Sequence, residues 1–76
     1  MKHARLDYDR FQDPDGIIPE DEPVFLIRGQ DRNAAAVVRV WAKLTESSGG
    51  DPAIVKLAYD HANLMDAWPT KRTPDL

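Results

Sequence analysis

Cysteine is absent from the 76 residues of this chain. Disulfides and thiolate metal sites are therefore excluded, and the absence favours a reducing compartment. A chain this short buries only about 60% of the surface that its unfolded form exposes, so a single core leaves it marginally stable. Because no covalent crosslink is available, we expect self-association to supply further burial, and we predict a homodimer.

Long apolar runs and an excess of basic charge are also missing. No run of about 20 apolar residues is present to span a membrane, and the N-terminal MKHARLDYD lacks the apolar core of a signal peptide. The chain carries 13 acidic and 10 basic residues, a net charge of −3, and an acidic chain repels phosphate. We therefore expect a soluble, cytoplasmic protein with no membrane contact and little affinity for nucleic acid.

Residues 1–22 are predicted to form an acidic extended arm. Seven acidic residues and a single base lie between Asp7 and Glu22. Pro14 and Pro19 interrupt any regular element in this stretch. A short strand over residues 4–8 is a weaker possibility within the arm.

The segment PVFLIRG predicts a short buried strand. Four β-forming apolar residues, 24–27, lie between Pro23 and Gly29. A lone strand leaves its backbone groups unpaired. It therefore needs a partner, which is either the weak N-terminal strand or the same strand of a second copy.

Two amphipathic helices follow, separated by the glycines of SSGG. The first has Asp31 or Asn33 as a candidate cap. The second begins at Asp51 and Pro52 and ends near Trp68, because a residue before proline avoids helical geometry. The apolar positions recur every three or four residues; they are Ala34, Val37, Val38, Trp41 and Leu44 in the first helix, and Ile54, Leu57, Ala58, His61, Leu64, Met65 and Trp68 in the second.

Helices joined by so short a loop are expected to pack as an antiparallel hairpin. Trp41 and Trp68 should supply much of the buried area, and a half-covered fringe is expected at Ala36, Val40, Val55 and Ala62. The predicted fold class is mainly α, with a short N-terminal strand followed by an antiparallel two-helix hairpin. The acidic extended arm is residues 1–22, the strand and hairpin are residues 23–68, and the C-terminal tail is residues 69–76.

The stretch FQDPDGIIPEDE, residues 11–22, has features of an EF-hand calcium loop. Acidic residues occupy its third, fifth and twelfth positions and glycine its sixth; these are Asp13, Asp15, Glu22 and Gly16. Phe11, however, stands at the first position, where a ligand oxygen is required. The residues after Glu22 also predict a strand instead of an exiting helix. We therefore favour a solvated acidic arm, with no metal or cofactor.

Residues 13–22 of the arm and the fringe of the hairpin are the predicted partner-binding surfaces. The spaced carboxylates of the arm can meet a basic groove on another protein, including one that normally holds nucleic acid. Arg28 and Arg32, on either side of a turn at Gly29, are expected to pair with the arm. The predicted partner-binding residues are Asp13, Asp15, Glu20, Asp21, Glu22, Arg28 and Arg32.

His61 lies in the middle of the second apolar stripe. A metal ligand or a general base is conceivable at this position, but only His3 could join it, and no serine or cysteine nucleophile pattern accompanies it. We expect a buried or interface histidine that bonds to a neighbour. Because no pair of titrating groups is placed with a nucleophile or a metal set, no catalytic residue is predicted and the chain is not expected to be an enzyme.

A strand followed by two helices is also the order of elements in ribbon–helix–helix DNA-binding proteins. Their paired strands need polar side chains along one face to reach base edges, whereas residues 24–27 are all apolar. A DNA-binding regulator of this kind is the alternative function.

The segment PEDEPVFLIRGQD, followed by an Ala/Val-rich helix and a GGDP turn, resembles a group of small proteins encoded by bacteriophages and bacteria. The likeness covers about residues 17–68. No activity is established for that group, so no residue role is carried over from it. The resemblance implies an accessory protein in a phage-infected or prophage-bearing cell, and we predict a small non-catalytic interaction protein that binds and modulates a host protein.

Overall fold

Two α-helices and one short pair of parallel strands account for the regular structure in the computed structural model. The structure describes residues 1–8 and 13–75. Its elements are β1 (Lys2–His3), a 3₁₀ helix (Leu6–Tyr8), β2 (Pro23–Val24), α1 (Ala34–Ser47) and α2 (Pro52–Ala67). The predicted mainly helical class with a short N-terminal strand is confirmed at this level.

A turn organised by Asp31 precedes α1. Oδ1 of Asp31 accepts the backbone N–H of Asn33 at 2.7 Å, and the carbonyl of Asp31 accepts the N–H of Ala34 at 3.0 Å. Asn33 occupies the N-cap position, but its side chain makes no capping hydrogen bond. Of the two candidate caps, Asp31 therefore supplies the side-chain acceptor at this end.

The glycine pair ends α1 and reverses the chain. Gly49 has a φ of 80°, a left-handed conformation that side chains disfavour, and its N–H donates to the carbonyl of Glu46 at 3.2 Å. Gly50 has no room for a side chain, because a Cβ there would overlap Cγ2 of Thr45. The reversal predicted at this point is present, and both glycines are needed for it.

The start and end of α2 follow from its local sequence. Oδ1 of Asp51 accepts the N–H of Ala53 at 2.9 Å, and Pro52 takes the first helical position, where its missing N–H has no partner to lose. Trp68 has left the helix, with ψ of 122°, as expected for a residue that precedes proline.

The helices fold back on each other as a hairpin. Ala42, near the middle of α1, packs with Val55 and Ala58 in the first half of α2. Arg39, one turn earlier in α1, donates to Asn63 in the second half of α2 at 3.0 Å. Earlier residues of α1 thus meet later residues of α2, which is the order of contacts that a hairpin requires.

The core consists of small side chains, and the prediction of which residues line it is wrong. The buried residues are Ala34, Ala35, Ala42, Val55, Ala58 and Ala62. Trp41 and Trp68, expected to fill the hairpin, are 49% and 55% exposed, whereas Val55 and Ala62, expected at its fringe, are buried. Small side chains let two helix backbones approach closely, so the row of alanines forms the interface and the larger residues lie outside it.

β1 and β2 pair in parallel, with Lys2 opposite Pro23 and His3 opposite Val24. The strand predicted for residues 24–27 therefore ends at its first residue. No strand within the described residues lies beside the rest of that run, so its backbone has no ladder to continue.

The predicted strand over residues 4–8 is also wrong, because Leu6–Tyr8 forms a 3₁₀ helix. The N–H of Tyr8 donates to the carbonyl of Arg5 at 3.2 Å. The Arg5 guanidinium lies 4.9 Å from the centre of the Tyr8 ring. These local contacts favour a compact turn over an extended chain.

The C-terminal segment packs on the loop between β2 and α1. The N–H of Arg72 donates to the carbonyl of Gln30 at 2.7 Å, and the N–H of Arg32 donates to the carbonyl of Arg72 at 3.0 Å. Lys71 donates its Nζ protons to the carbonyls of Gly29 and Met65. Since the last carbonyls of a helix lack helical partners, Lys71 both caps α2 and ties it to this loop.

We predict that Lys71→Met lowers the free energy of unfolding by about 1–3 kcal/mol, because two part-buried carbonyls lose a charged donor. Thermal unfolding followed by circular dichroism measures the change. Lys43→Met, an exposed change on α1, is the matched control and should shift stability by less than about 0.5 kcal/mol. Equal effects of the two substitutions would contradict the role of Lys71.

We also predict that Gly50→Ala destabilises the hairpin by about 1–3 kcal/mol, because the added methyl overlaps the side chain of Thr45. Thr45→Ser removes the overlapping methyl, so the double variant should lose less stability than the two single changes together. A double-mutant cycle by urea unfolding measures this coupling. Simple additivity would show that the side chain of Thr45 is not the obstacle.

Candidate functional site

A continuous set of large apolar side chains remains exposed along the hairpin. Its members are between 43% and 66% exposed, and we call them the apolar face: Val37, Trp41 and Leu44 of α1, Ile54, Leu57 and Leu64 of α2, and Trp68 just after α2. Val40, 59% exposed, lies at its outer edge. Water contact on this scale is unfavourable for apolar surface, so the face is the strongest candidate for a binding site.

The helical register places both halves of the apolar face on one side of the hairpin. In each helix the exposed residues immediately precede residues of the row turned towards the other helix: positions 37, 41 and 44 precede Val38, Ala42 and Thr45, and positions 54, 57 and 64 precede Val55, Ala58 and Met65. Consecutive residues are rotated by about 100° around a helix. Because the two helices fold back on each other, the same rotation in each brings the two exposed rows to the same side.

The other side of the hairpin is polar. Arg39 and Asn63 each follow a residue of the row turned inward, and the hydrogen bond between them identifies that second side. Arg39 also pairs with Asp66 at 2.6 Å. Five of the six charged residues of α1 and α2 each follow a residue of the row turned inward and so lie on this polar side; they are Arg39, Lys43, Glu46, Lys56 and Asp66. Asp60 lies at the edge of the apolar face, since it is three residues after Leu57 and four before Leu64, and it pairs with Lys56 at 2.6 Å.

The apolar face continues into a groove at the far end of α2. The groove has a volume of about 420 Å³, and the loop residues 26–30 form one wall. Leu64 and Trp68 contribute to the opposite wall. Gly29 lies close to α2, because a Cβ there would be in ordinary van der Waals contact, at 3.7 Å, with Cα of Met65 and Cβ of Trp68. The groove offers a partner a recess beside the open apolar surface.

His61 lies within the apolar face, and the expectation of burial is wrong for it. The side chain is exposed, because position 61 precedes the buried Ala62 in the same way that positions 54, 57 and 64 precede inward residues. An interface role is still compatible with this position.

The predicted acidic partner-binding residues are turned mainly to solvent. Oδ1 and Oδ2 of Asp13 accept the backbone N–H groups of Ile17 and Ile18, both at 3.1 Å, so this carboxylate is engaged in its own turn. The other four carboxylates are exposed: Asp15, Glu20, Asp21 and Glu22. Their role in binding stays a prediction.

Arg28 and Arg32 do not pair with these carboxylates within the described residues. Nη2 of Arg32 donates to the carbonyl of Lys71 at 3.4 Å. Arg28 lines a cleft of about 230 Å³ together with Arg5 and Arg72. The two arginines therefore belong to the contact between loop and C-terminal segment, and their partner-binding role is likewise untested.

The calcium-loop register begins at Phe11, which lies outside the described residues. Across residues 1–8 and 13–75, no group of three histidine or carboxylate side chains lies close enough to hold a metal ion. Neither helix in this part of the chain is long and apolar enough to cross a membrane.

Arg5 and Asp7 form an ion pair at the edge of the 230 Å³ cleft. Nε and Nη2 of Arg5 donate to the two carboxylate oxygens of Asp7 at 3.0 and 2.8 Å, and Nη1 donates to the carbonyl of Asp75 at 2.8 Å. The hydrogen bond lowers the pKa of Asp7 below its ordinary value and raises the pKa of Arg5. The charge of Arg28 lowers the pKa of Asp7 further, to a smaller extent.

No family model, curated protein or solved structure matches the chain. Its function is therefore inferred from the apolar face and from the residues around it. Sequence periodicity identified the residues of this face but assigned them to the hairpin interior. The signal that distinguishes the two rows is the recurrence of alanine at helical spacing, eight residues apart for Ala34 and Ala42 and four residues apart for Ala58 and Ala62.

We predict that Arg5→Gln raises the pKa of Asp7 towards its ordinary value of about 3.9, because the hydrogen bond that stabilises the carboxylate is lost. Since the folded-state pKa is the lower one, the pair stabilises the fold above the ordinary pKa, and this contribution disappears as pH falls through the folded-state pKa. NMR titration of the carboxyl carbon of Asp7 measures its pKa in the wild-type chain and in the variant. Arg28→Gln is the control and should raise the pKa less; an equal rise would contradict the dominance of Arg5.

Proposed function

We propose that this chain is a small non-catalytic interaction protein that binds another protein chain through the apolar face. The observation that carries the proposal is the exposure of seven large apolar residues along one side of the hairpin, by 43% to 66%.

The size of the apolar face supports a binding role. With about 200 Å² for a large side chain, its seven residues expose on the order of 800 Å². The largest apolar patch of a typical monomer measures about 300–600 Å², and larger patches mark interaction sites. Trp41 and Trp68 are of the residue type that most often dominates binding energy, and each is about half exposed.

The acidic segment 13–22 is proposed as a second contact. Its exposed carboxylates would meet basic groups at the rim of the same partner, where charge raises the association rate more than the affinity. The resemblance to phage and bacterial proteins supplies a proposed setting, the cytoplasm of a bacterial cell, and a host protein as the class of target. The antiparallel hairpin is the proposed scaffold for both contacts.

The ribbon–helix–helix alternative gains no support from the strand. That function needs β2 to pair with the β2 strand of a second copy, whereas β2 pairs with Lys2–His3 of its own chain. The two helices together carry three bases and three acids, which is not the basic surface that DNA binding requires. An interaction protein therefore remains the preferred function.

Site-specific photo-crosslinking in bacterial cells tests the proposal. A photoreactive phenylalanine analogue replaces Leu57 on the apolar face, and Ala36, which is exposed on the outer side of α1, is the matched control position. We expect covalent adducts to another protein chain from position 57 and none, or far fewer, from position 36. The adducts are measured by immunoblot and identified by mass spectrometry.

Equal yields from the two positions, or no adduct from position 57, would overturn the binding role of the apolar face. A further variant in the same experiment has five carboxylates neutralised: Asp13, Asp15, Glu20, Asp21 and Glu22. If the adducts from position 57 persist unchanged in yield, the acidic segment is not the second contact, and the role of the apolar face stands.

A further inference from the structure

We propose that the apolar face binds a second copy of this chain, so that two hairpins pack face to face as a four-helix bundle. This inference rests on the proposed function and names a copy of this chain, in place of a host protein, as the occupant of the same surface. The area, charge and shape of the apolar face each favour a copy of the same chain.

The area of the apolar face matches the requirement of a stable dimer. A standard protein interface buries about 800 Å² on each partner. The seven residues of the apolar face are 43% to 66% exposed, and with about 200 Å² for each complete side chain this leaves on the order of 800 Å² in water. The groove beside Trp68 adds further surface. A second copy could therefore cover the whole face, whereas a short peptide would leave much of it in water.

The charge pattern permits the face to meet itself. Five of the six charged residues of the helices lie on the opposite side. Asp60, at the edge of the apolar face, is paired with Lys56, so the centre of the face brings no like charges together when two copies approach. An acidic or basic partner would find no complementary charge on this face. Neutral apolar surfaces are typical of the interiors of homodimer interfaces.

The shape of the face suits two-fold symmetry. α1 and α2 have similar lengths, 14 and 16 residues, which correspond to about 21 and 24 Å at 1.5 Å per residue. Two rows of similar length on one side of a hairpin can pack against the same two rows of a copy, as in bundles of four helices. A symmetric dimer then uses the same patch on both chains.

The single chain also lacks burial that a copy would provide. No large side chain is fully buried within the described residues. The radius of gyration is 13.6 Å, above the roughly 11 Å expected for a compact domain of this length. Dimerisation would place Trp41, Trp68 and the five aliphatic side chains of the apolar face in an interior, where removing their exposed surface from water is favourable.

Sedimentation equilibrium over about 1 μM to 1 mM tests the inference on the full chain. We expect a mass of twice the 8.6 kDa of one chain. Leu57→Glu should raise the dimer dissociation constant by at least about 100-fold, because a symmetric dimer would bury two unpaired carboxylates. Ala36→Glu adds the same charge to the outer side of α1 and should leave the constant within about three-fold.

Tryptophan fluorescence monitors the same interface, because Trp41 and Trp68 belong to the apolar face. Emission of the wild-type chain should shift to shorter wavelength as concentration rises, and Leu57→Glu should abolish this dependence while circular dichroism still reports helices. If Leu57→Glu does not fold, the purified chain with the photoreactive residue at position 57 takes its place. A dimer-sized adduct then supports the inference, and its absence overturns it.

A wild-type chain that is monomeric up to about 1 mM would overturn the inference. So would a dimer whose dissociation constant is unaffected by both Leu57→Glu and Leu44→Glu, since its interface would lie elsewhere. The dimer inference and the proposed function can fail independently. If the wild-type chain is monomeric but adducts to a different protein form from position 57 in cells, the dimer inference fails and the proposed function stands, because the apolar face binds a partner that is not a copy.

Discussion

The close packing of two alanine rows is the contact on which the rest of this structure depends. Ala42 of α1 packs with Val55 and Ala58 of α2, and Ala34 and Ala62 are also fully buried. Side chains of this size allow a short distance between the helix axes. A hairpin closed in this way has no space for tryptophan or leucine in its interior. The large residues must therefore lie beside the contact, where they form the apolar face.

This arrangement divides the hairpin into two unlike sides. One side holds the apolar face, and the other holds most of the charged residues, including the pair between Arg39 and Asp66. Exposed ion pairs contribute little to stability, so the main effect of the charged side is to keep that surface of the hairpin hydrated. The apolar side gains free energy only when another surface covers it. In the proposed complex, stability and binding are therefore linked, because the same residues would supply both.

Local features of the fold could be predicted because they depend on neighbouring residues. Asp51 and Pro52 specify a helix start whatever lies across from it, and Gly49 adopts a φ that other residues avoid. The strand at residues 24–27 was predicted too long, since strand length depends on a partner that lies far away in sequence. Among candidate sites, the residues of the apolar face were recognised as a set, but their direction was assigned wrongly.

By itself, the sequence determined two helices, the reversal between them and the stripes of apolar residues, because helix caps, glycine and three-to-four-residue periodicity act over one or two turns. Only the tertiary structure decided which row each helix turns towards the other. Both an alanine row and a leucine–tryptophan row satisfy the helical period, and they differ by a single residue in register. The choice depends on how closely two backbones can approach, which is a property of the pair of helices and not of either helix alone.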